Sequence, residues 1–453
     1  MSDRHYDVGE MLEYLDYAPE APGRHDLESH LGACIPCRRL FKQVSKVRGA
    51  LNDPETWEPE EASGASFEPS PEKTQEFFNL MHQINEEDAR AERHLPKLLA
   101  GSSSEWHARI DTSAEYRTLG IARALLAEFS SAVYREPLRA LELASLATAV
   151  GNRLTESIYR HDAILDLRGD AYKDRANALR LLGRYDEALV ALTDAERCFR
   201  QVLVCDFGLA AVEYVRATVF CALERYPEAL EKTRWAAGIF LSFGDDTRAV
   251  HCHLLEAVIL YHTGLTAMAR DLFLELIEEV KQDSNLGTLA GLFNNLANCY
   301  RDLSEPDAAG SYYLQAIHLY QEMGMETEKT RLRFALGRML VTTGRFVEGL
   351  AMLRNARQDF EAVGMVIEAG VVALHMAEAM LATGEPEEVP AICHALVDQF
   401  TSAGMPSNAL TALAYLREAV ATGRATPVVV RHVRQYLEVL PQRPELAFVA
   451  PQE

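Results

Sequence analysis

Small residues return every 40 positions over nearly half of this chain, and a period of that length leaves few folds open. Ala176, Ala217, Ala257, Ala297, Gly337 and Ala377 form the column, the first interval being 41 and the rest 40. Seven residues after each comes a turn position, at Gly183, Glu224, Gly264, Ser304, Gly344 and Gly384. Five residues further on stand Ala188, Ala229, Ala269, Ala309, Gly349 and Val389. A third column, Phe240, Val280, Tyr320, Phe360 and Phe400, is followed four residues later by Gly244, Gly324, Gly364 and Gly404 in four of its five members. Each unit therefore predicts a helix, a short turn, a second helix, and a glycine free to take the left-handed conformation that ends it. One unit cannot bury its apolar face alone. The expected fold is all-α, a right-handed solenoid of helix pairs in 40-residue repeats, with the small residues placed where helix axes approach closely.

The order alanine, seven residues to glycine, five to alanine and seven to a last alanine (Ala195, Ala236, Ala316, Ala356) resembles the tetratricopeptide repeat, best over Gly183, Arg184, Tyr185, Asp186, Glu187, Ala188 and Leu189. That repeat has a period of about 34 residues, so both helices are expected to be longer here by part of a turn. Six units match over roughly 169–405, and Pro137, Ala140, Ala144 and Ala147 keep the second-helix spacing of an earlier one. A capping pair is expected over 406–440, its second helix opening at Pro427, since proline suits the first helical turn. The solenoid thus spans 136–440, with a 441–453 tail. A helical extension at 73–135 precedes it, with Phe77, Phe78, Met81, Ile84, Leu119, Ala122, Leu125, Leu126 and Phe129 as its apolar pattern.

With 453 residues, 48% of them apolar, the chain has enough material for an extended core. Its net charge of −22 argues against the whole being a nucleic-acid or anionic-membrane binder. The opening residues, Met1, Ser2, Asp3, Arg4 and His5, have no apolar stretch of signal-peptide type, and no window approaches about 18 uncharged apolar residues. A cytoplasmic protein is expected. Six of the eight cysteines, Cys198, Cys205, Cys221, Cys252, Cys299 and Cys393, fall in predicted repeat helices, where cysteine acts as a small apolar residue.

The other two belong to His30, Cys34 and Cys37, the pattern H-x3-C-x2-C, preceded by the apolar stripe Met11, Leu12, Leu15, Leu27 and Leu31. Four residues apart on a helix, His30 and Cys34 share a face, and two intervening residues let Cys37 turn toward the same point. These are three ligands of a tetrahedral zinc site that needs one more nitrogen or sulfur. His5 is the best candidate and His25 the runner-up. A plain thiol pair is the rival, but such redox motifs follow a strand in an alternating strand and helix pattern, which is not seen. His5, Val8, Tyr14-Leu15-Asp16 and His30-Leu31-x-x-Cys34-x-x-Cys37, followed by Arg38, resemble the zinc-binding anti-sigma domain of bacteria over residues 1–50. The resemblance implies that His5, His30, Cys34 and Cys37 hold Zn2+ and that the domain sequesters a sigma factor. Tyr17-Ala18-Pro19, where an acidic or glycine turn is usual, and His5 in place of the more frequent cysteine depart from that family's pattern.

After Cys37, Arg38, Arg39, Lys42, Lys46 and Arg48 alternate with apolar residues at helical spacing and form an amphipathic helix whose basic side can dock an acidic partner. Residues 51–72, with four prolines and Glu55, Glu58, Glu60 and Glu61, read as a flexible linker. No glycine-rich phosphate loop, G-x-S-x-G or H-E-x-x-H is present. In His251-Cys252-His253 neighbouring side chains would point apart on a helix, which favours a structural role. Binding rather than catalysis is the expected work. The tetratricopeptide resemblance implies that the first helix of each unit lines a concave groove, with Lys173, Asn177 and Arg180, and Asn294, Asn298 and Arg301, facing inward to hold a peptide or protein segment. The reading is a cytoplasmic, non-enzymatic regulator or adaptor with protein partners, a sigma factor by resemblance; a scaffold with a structural zinc site and no role in transcription is the alternative.

Overall fold

The computed structural model describes residues 71–451 apart from 203–204, 284–285, 441–442 and 444, and, within the first 50, Tyr6, Met11, Tyr14, Leu27, Glu28, His30, Leu31, Cys37, Phe41 and Ser45. The regular elements described are helices. The chain divides into two compact units, Met1–Ile259 and Leu260–Glu453.

In the first unit, α1 (Pro71–Leu98), α2 (Ser103–Thr112), α3 (Leu119–Ala132) and α4 (Pro137–Gly151) precede the regular pairs α5 (His161–Leu181) with α6 (Tyr185–Phe199) and α7 (Asp206–Ala222) with α8 (Tyr226–Ser242). The helix α9 (Asp246–His262) supplies the unit's last residues. Trp106, Ile110, Ile121, Leu125 and Phe129 are buried in one core with Leu143, Leu146 and Ile164, which joins α2 and α3 to α4 and α5. The Glu87 carboxylate of α1, 9% exposed, accepts from Tyr159 Oη at 3.1 Å and from the Gly120 backbone N–H at 3.3 Å, so this buried charge keeps two donors.

In the second unit, α10 (Thr266–Asp283), α11 (Leu286–Asp302), α12 (Pro306–Glu322), α13 (Glu326–Thr342), α14 (Phe346–Ala362), α15 (Val366–Thr383), α16 (Val389–Ser402), α17 (Ser407–Ala421) and α18 (Pro427–Val439) pack successively. Helix α18 opens on Pro427, and the Thr426 side chain caps it by accepting from the Val429 N–H. By length and apolarity α15 alone among the described helices could cross a membrane, but half of it is buried, Val372, Ala373, Leu374 and Met376 among its core residues.

The period has a simple origin. From α7 to α9, and from α11 to α15, helices of 17 residues alternate with three-residue turns, apart from α15, which runs to 18. Every turn position of the first column has a left-handed backbone: φ is 72° at Gly183, 58° at Glu224, 81° at Gly264, 64° at Ser304, 84° at Gly344 and 76° at Gly384. The cause is a Schellman closure, in which the next residue's N–H reaches back five positions, as from Glu305 to the Tyr300 carbonyl at 2.8 Å. The same closure ends the second helices, where the carbonyls of Phe240, Tyr320, Phe360 and Phe400 accept from the residue after Gly244, Gly324, Gly364 and Gly404. Side chains carry a steric cost there, so Ser304→Gly is expected to raise stability by about 1 kcal/mol, read from the urea midpoint.

The small-residue column is fully buried at Ala176, Ala217, Ala257, Ala297 and Ala377. Where alanine gives way to glycine in both columns, at Gly337 and Gly349, α13 and α14 leave no room for a side chain: a Cβ on Gly349 would lie 2.9 Å from the Val341 backbone nitrogen and 3.0 Å from the Gly337 carbonyl oxygen. Cys205 stands at the N-cap of α7 rather than inside a helix. Burial raises the thiol pKa values of Cys299 and Cys393 to about 11, in keeping with inert packing roles.

Candidate functional site

Of the expected zinc ligands, His5 and Cys34 lie outside the described residues, as do His25 and the basic Arg38, Arg39 and Lys42. His30 is half-buried, its ring edge-on to Tyr6 at 5.0 Å, and Cys37 is 2% exposed. Among the described residues no three histidine, cysteine or acidic side chains gather as a metal site. Met11, Tyr14, Leu27, Leu31, Cys37 and Phe41 instead share one apolar cluster with Ala210 of α7, Ala236, Ala237 and Phe240 of α8, and Ala249 and Cys252 of α9. Tyr14 Oη donates to the buried Glu28 carboxylate at 2.9 Å. At Gly238, inside α8, an added Cβ would meet the Glu28 carbonyl oxygen at 2.8 Å. That glycine was the one sequence signal of this docking, because a glycine in a helix interior costs about 1 kcal/mol relative to alanine and so asks for a packing reason. Cys252, deep in the cluster, has its pKa pushed up by burial, and the neighbouring His253 is 3% exposed.

On α5, Lys173 Nζ stands 2.8 Å from Asp170 and 3.5 Å from Asp174. Burial lowers its pKa, but the two carboxylates outweigh that and the net shift is upward. Its charge is therefore committed within its own helix. Three residues after Asn177, Arg180 donates to the Asn177 Oδ1 through Nε at 3.1 Å and Nη2 at 2.9 Å. The same pair recurs on α11, where Arg301 Nη1 donates to Asn298 Oδ1 at 3.0 Å. With both grips on Oδ1, each side-chain amide keeps its NH2 end for another acceptor.

The α11 pair belongs to a larger network. Tyr313 Oη donates to Asn298 Oδ1 at 2.6 Å, Arg301 Nη2 donates to Tyr261 Oη at 3.0 Å, Arg301 Nε to Asp302 at 2.8 Å, and Tyr261 donates to Asp302. Burial and the Asp302 carboxylate push the Tyr261 phenol up to about 12, and Asp302 itself is lowered despite burial by Arg301 and Tyr261. Asn294, one turn earlier, is half-buried.

Forty residues beyond Asn298 stands Arg338, which sequence reasoning did not single out although the register pointed to it. It borders a cavity of about 370 Å3 formed with Val341, Phe346, His375, Glu378, Arg431 and Arg434 among others. Glu378 accepts from Arg431 Nε at 2.6 Å and Arg434 Nε at 3.3 Å, while Arg434 Nη1 reaches Glu438 at 2.8 and 3.0 Å. His375 and Arg434 hold the Glu438 carboxyl at about 2.

No protein-family model and no curated protein matches the sequence. Among solved structures, the chain is similar to a signal-transduction ATPase with numerous domains from Pyrococcus horikoshii that carries a tetratricopeptide repeat sensor, with a TM-score of 0.51 and 14% identity over 74% of this chain and 54% of that one. Aspartyl phosphate phosphatase F of Bacillus subtilis also matches, with a TM-score of 0.46 and 14% identity over 86% and 100% of the two chains, as does the apo quorum sensor NprR of B. thuringiensis, with 0.44 and 13% over 71% and 99%. The fold class is thus a tetratricopeptide-like helical solenoid, with repeats lengthened to 40 residues.

Proposed function

We propose that this chain is a non-enzymatic cytoplasmic regulator or adaptor whose repeats hold an extended segment of a protein partner. The observation that carries the reading is the recurring Asn–Arg pair, Asn177 with Arg180 and Asn298 with Arg301, since an amide held by Oδ1 is pre-oriented to bond a backbone carbonyl. Co-purification from native cells tests it. Replacing Asn298 and Arg301 together by alanine is expected to reduce recovery of the partner at least tenfold, with helicity unchanged; equal recovery would refute the assignment.

The N-terminal part of the proposal rests on the H-x3-C-x2-C pattern: residues 1–50 bind one Zn2+ through His5, His30, Cys34 and Cys37, and hold a sigma factor with help from Arg38, Arg39 and Lys42. Metal analysis of the full chain is expected to find one zinc, absent from Cys34→Ser. Reversing the three basic charges is expected to slow capture of the sigma factor and steepen nothing else, because rim charges act mainly on association. The scaffold alternative draws on the docking of Tyr14, Leu27 and Leu31 against α7–α9, which already occupies the apolar side of the segment. Recovery of partners without any sigma factor would decide for it.

A further inference from the structure

We propose that α17 and α18 form a docking site for an extended segment of a partner protein carrying one phenylalanine, a site that the chain's own residues 445–451 occupy as a tethered stand-in. The inference goes beyond the groove reading above, since it uses neither of the Asn–Arg pairs.

The tail is held as a ligand is held. After α18 the Leu446 N–H donates to the Arg443 carbonyl at 3.0 Å, and residues 446–451 run on without helix or strand across α17 and α18. Asn408 Nδ2 of α17 and Tyr436 Oη of α18 both donate to the Leu446 carbonyl, at 2.9 and 2.7 Å, and so satisfy its two lone pairs. His432 Nε2 stands 2.8 Å from the Val449 carbonyl, which can only accept, so that nitrogen carries the proton. Between the two carbonyls, the Phe448 ring packs against Tyr436 at 5.1 Å, Tyr415 at 5.5 Å and His432 at 5.7 Å, in edge-on and tilted contacts of the kind aromatic pairs favour.

These contacts define the ligand by class. Main-chain carbonyls are common to every polypeptide, so Asn408, Tyr436 and His432 select an extended chain without selecting its sequence. The ring pocket adds one requirement, a phenylalanine two residues after the first carbonyl and one before the second. Other side chains of the tail face solvent, Leu446 being 37% and Val449 72% exposed. A segment held by one ring and two carbonyls can be exchanged for another with the same ring. The tether decides when, because a segment joined so closely to α18 has a local concentration on the order of millimolar. A free peptide competes poorly against that. A partner already gripped elsewhere on the solenoid presents its own phenylalanine at a comparable local concentration, so the tail yields to a ligand engaged at two places.

Fluorescence anisotropy of the full chain with a fluorescein-labelled peptide, Glu-Leu-Ala-Phe-Val-Ala-Pro as the C-terminal amide, tests the site. Phe448→Ala empties the ring pocket, and this variant is expected to bind the probe at least tenfold more tightly than the native chain does. A probe with alanine in place of phenylalanine should bind the same variant at least tenfold more weakly, and adding Asn408→Ala to the variant should weaken the original probe. Equal affinity of native chain and Phe448→Ala, or indifference to the phenylalanine of the probe, would overturn the proposal. So would a thermal midpoint lowered by more than about 5 °C in Phe448→Ala, since the tail would then be part of the core rather than a stand-in. Dimerisation of the native chain that Phe448→Ala abolishes would overturn the partner assignment in favour of the tail of a second copy. Replacing Asn298 and Arg301 together by alanine should leave probe binding to Phe448→Ala unchanged, which separates this site from the groove.

Discussion

Gly349→Val is expected to lower the stability of the second unit by about 3 kcal/mol, at the upper end for overpacking. Glycine in an open helix would gain about 1 kcal/mol from alanine, so propensity alone predicts the opposite sign. Geometry decides. The atoms an added Cβ would meet include the Val341 nitrogen at 2.9 Å and the Gly337 oxygen at 3.0 Å, and backbone cannot rotate aside, so α13 and α14 must separate. Gly364→Ala is the control: with φ at +76° and no atom within 4 Å, it should lose only about 1 kcal/mol of backbone strain. Trp106 is buried and Trp235 half-buried in the first unit, and residues 260–453 hold no tryptophan, so changes in fluorescence follow the first unit while circular dichroism follows both. The urea midpoint by circular dichroism should fall well below that by fluorescence. Coincident midpoints, or an effect no larger than that of Gly364→Ala, would contradict the close approach.

Gly238→Leu is expected to detach the N-terminal segment while leaving the helices beneath it intact. Leucine is the better helix former, so α8 itself is not weakened. Its Cβ, however, would lie 2.8 Å from the Glu28 carbonyl oxygen and 3.0 Å from the Glu28 Cα, and the segment has to lift away. Tryptic cleavage after Arg38, Arg39 and Lys42 should accelerate at least tenfold, with the fragment beyond the linker staying resistant. Trp235, half-buried against the same cluster, should shift its emission to the red. Unchanged cleavage would mean that the contact does not hold the segment in solution.

The repeat register could be read from the sequence because a left-handed turn position selects glycine strongly, and four of the six turn positions obey. Glu224 and Ser304 were found through the period alone, and both have the same backbone as the glycines. Helix lengths followed from the excess of 40 residues over the usual repeat. The docking of Met11, Tyr14, Leu27, Leu31 and Phe41 on α7–α9 was not readable, because such a stripe suits a private core equally well; only Gly238 marked it. Lys173 stood at an inward register position, yet Asp170 and Asp174, one turn before and adjacent, neutralise it. The cavity draws Arg338 from one helix and Arg431 and Arg434 from another more than 90 residues on, a meeting that no local pattern encodes.

The contact between Glu28 and Gly238 also has a consequence in time. More than two hundred residues separate the two positions, and a ribosome adding about 5–20 residues per second needs about 10–40 s to cover that stretch. Throughout this interval Met11, Leu27, Leu31 and Phe41 have emerged but the helices that cover them have not been made. A nascent chain cut short before about Cys252 never acquires that cover, and its leading end stays apolar and sticky. Docking thus distinguishes a finished product from a truncated one, and leaves the latter open to capture by chaperones and proteases.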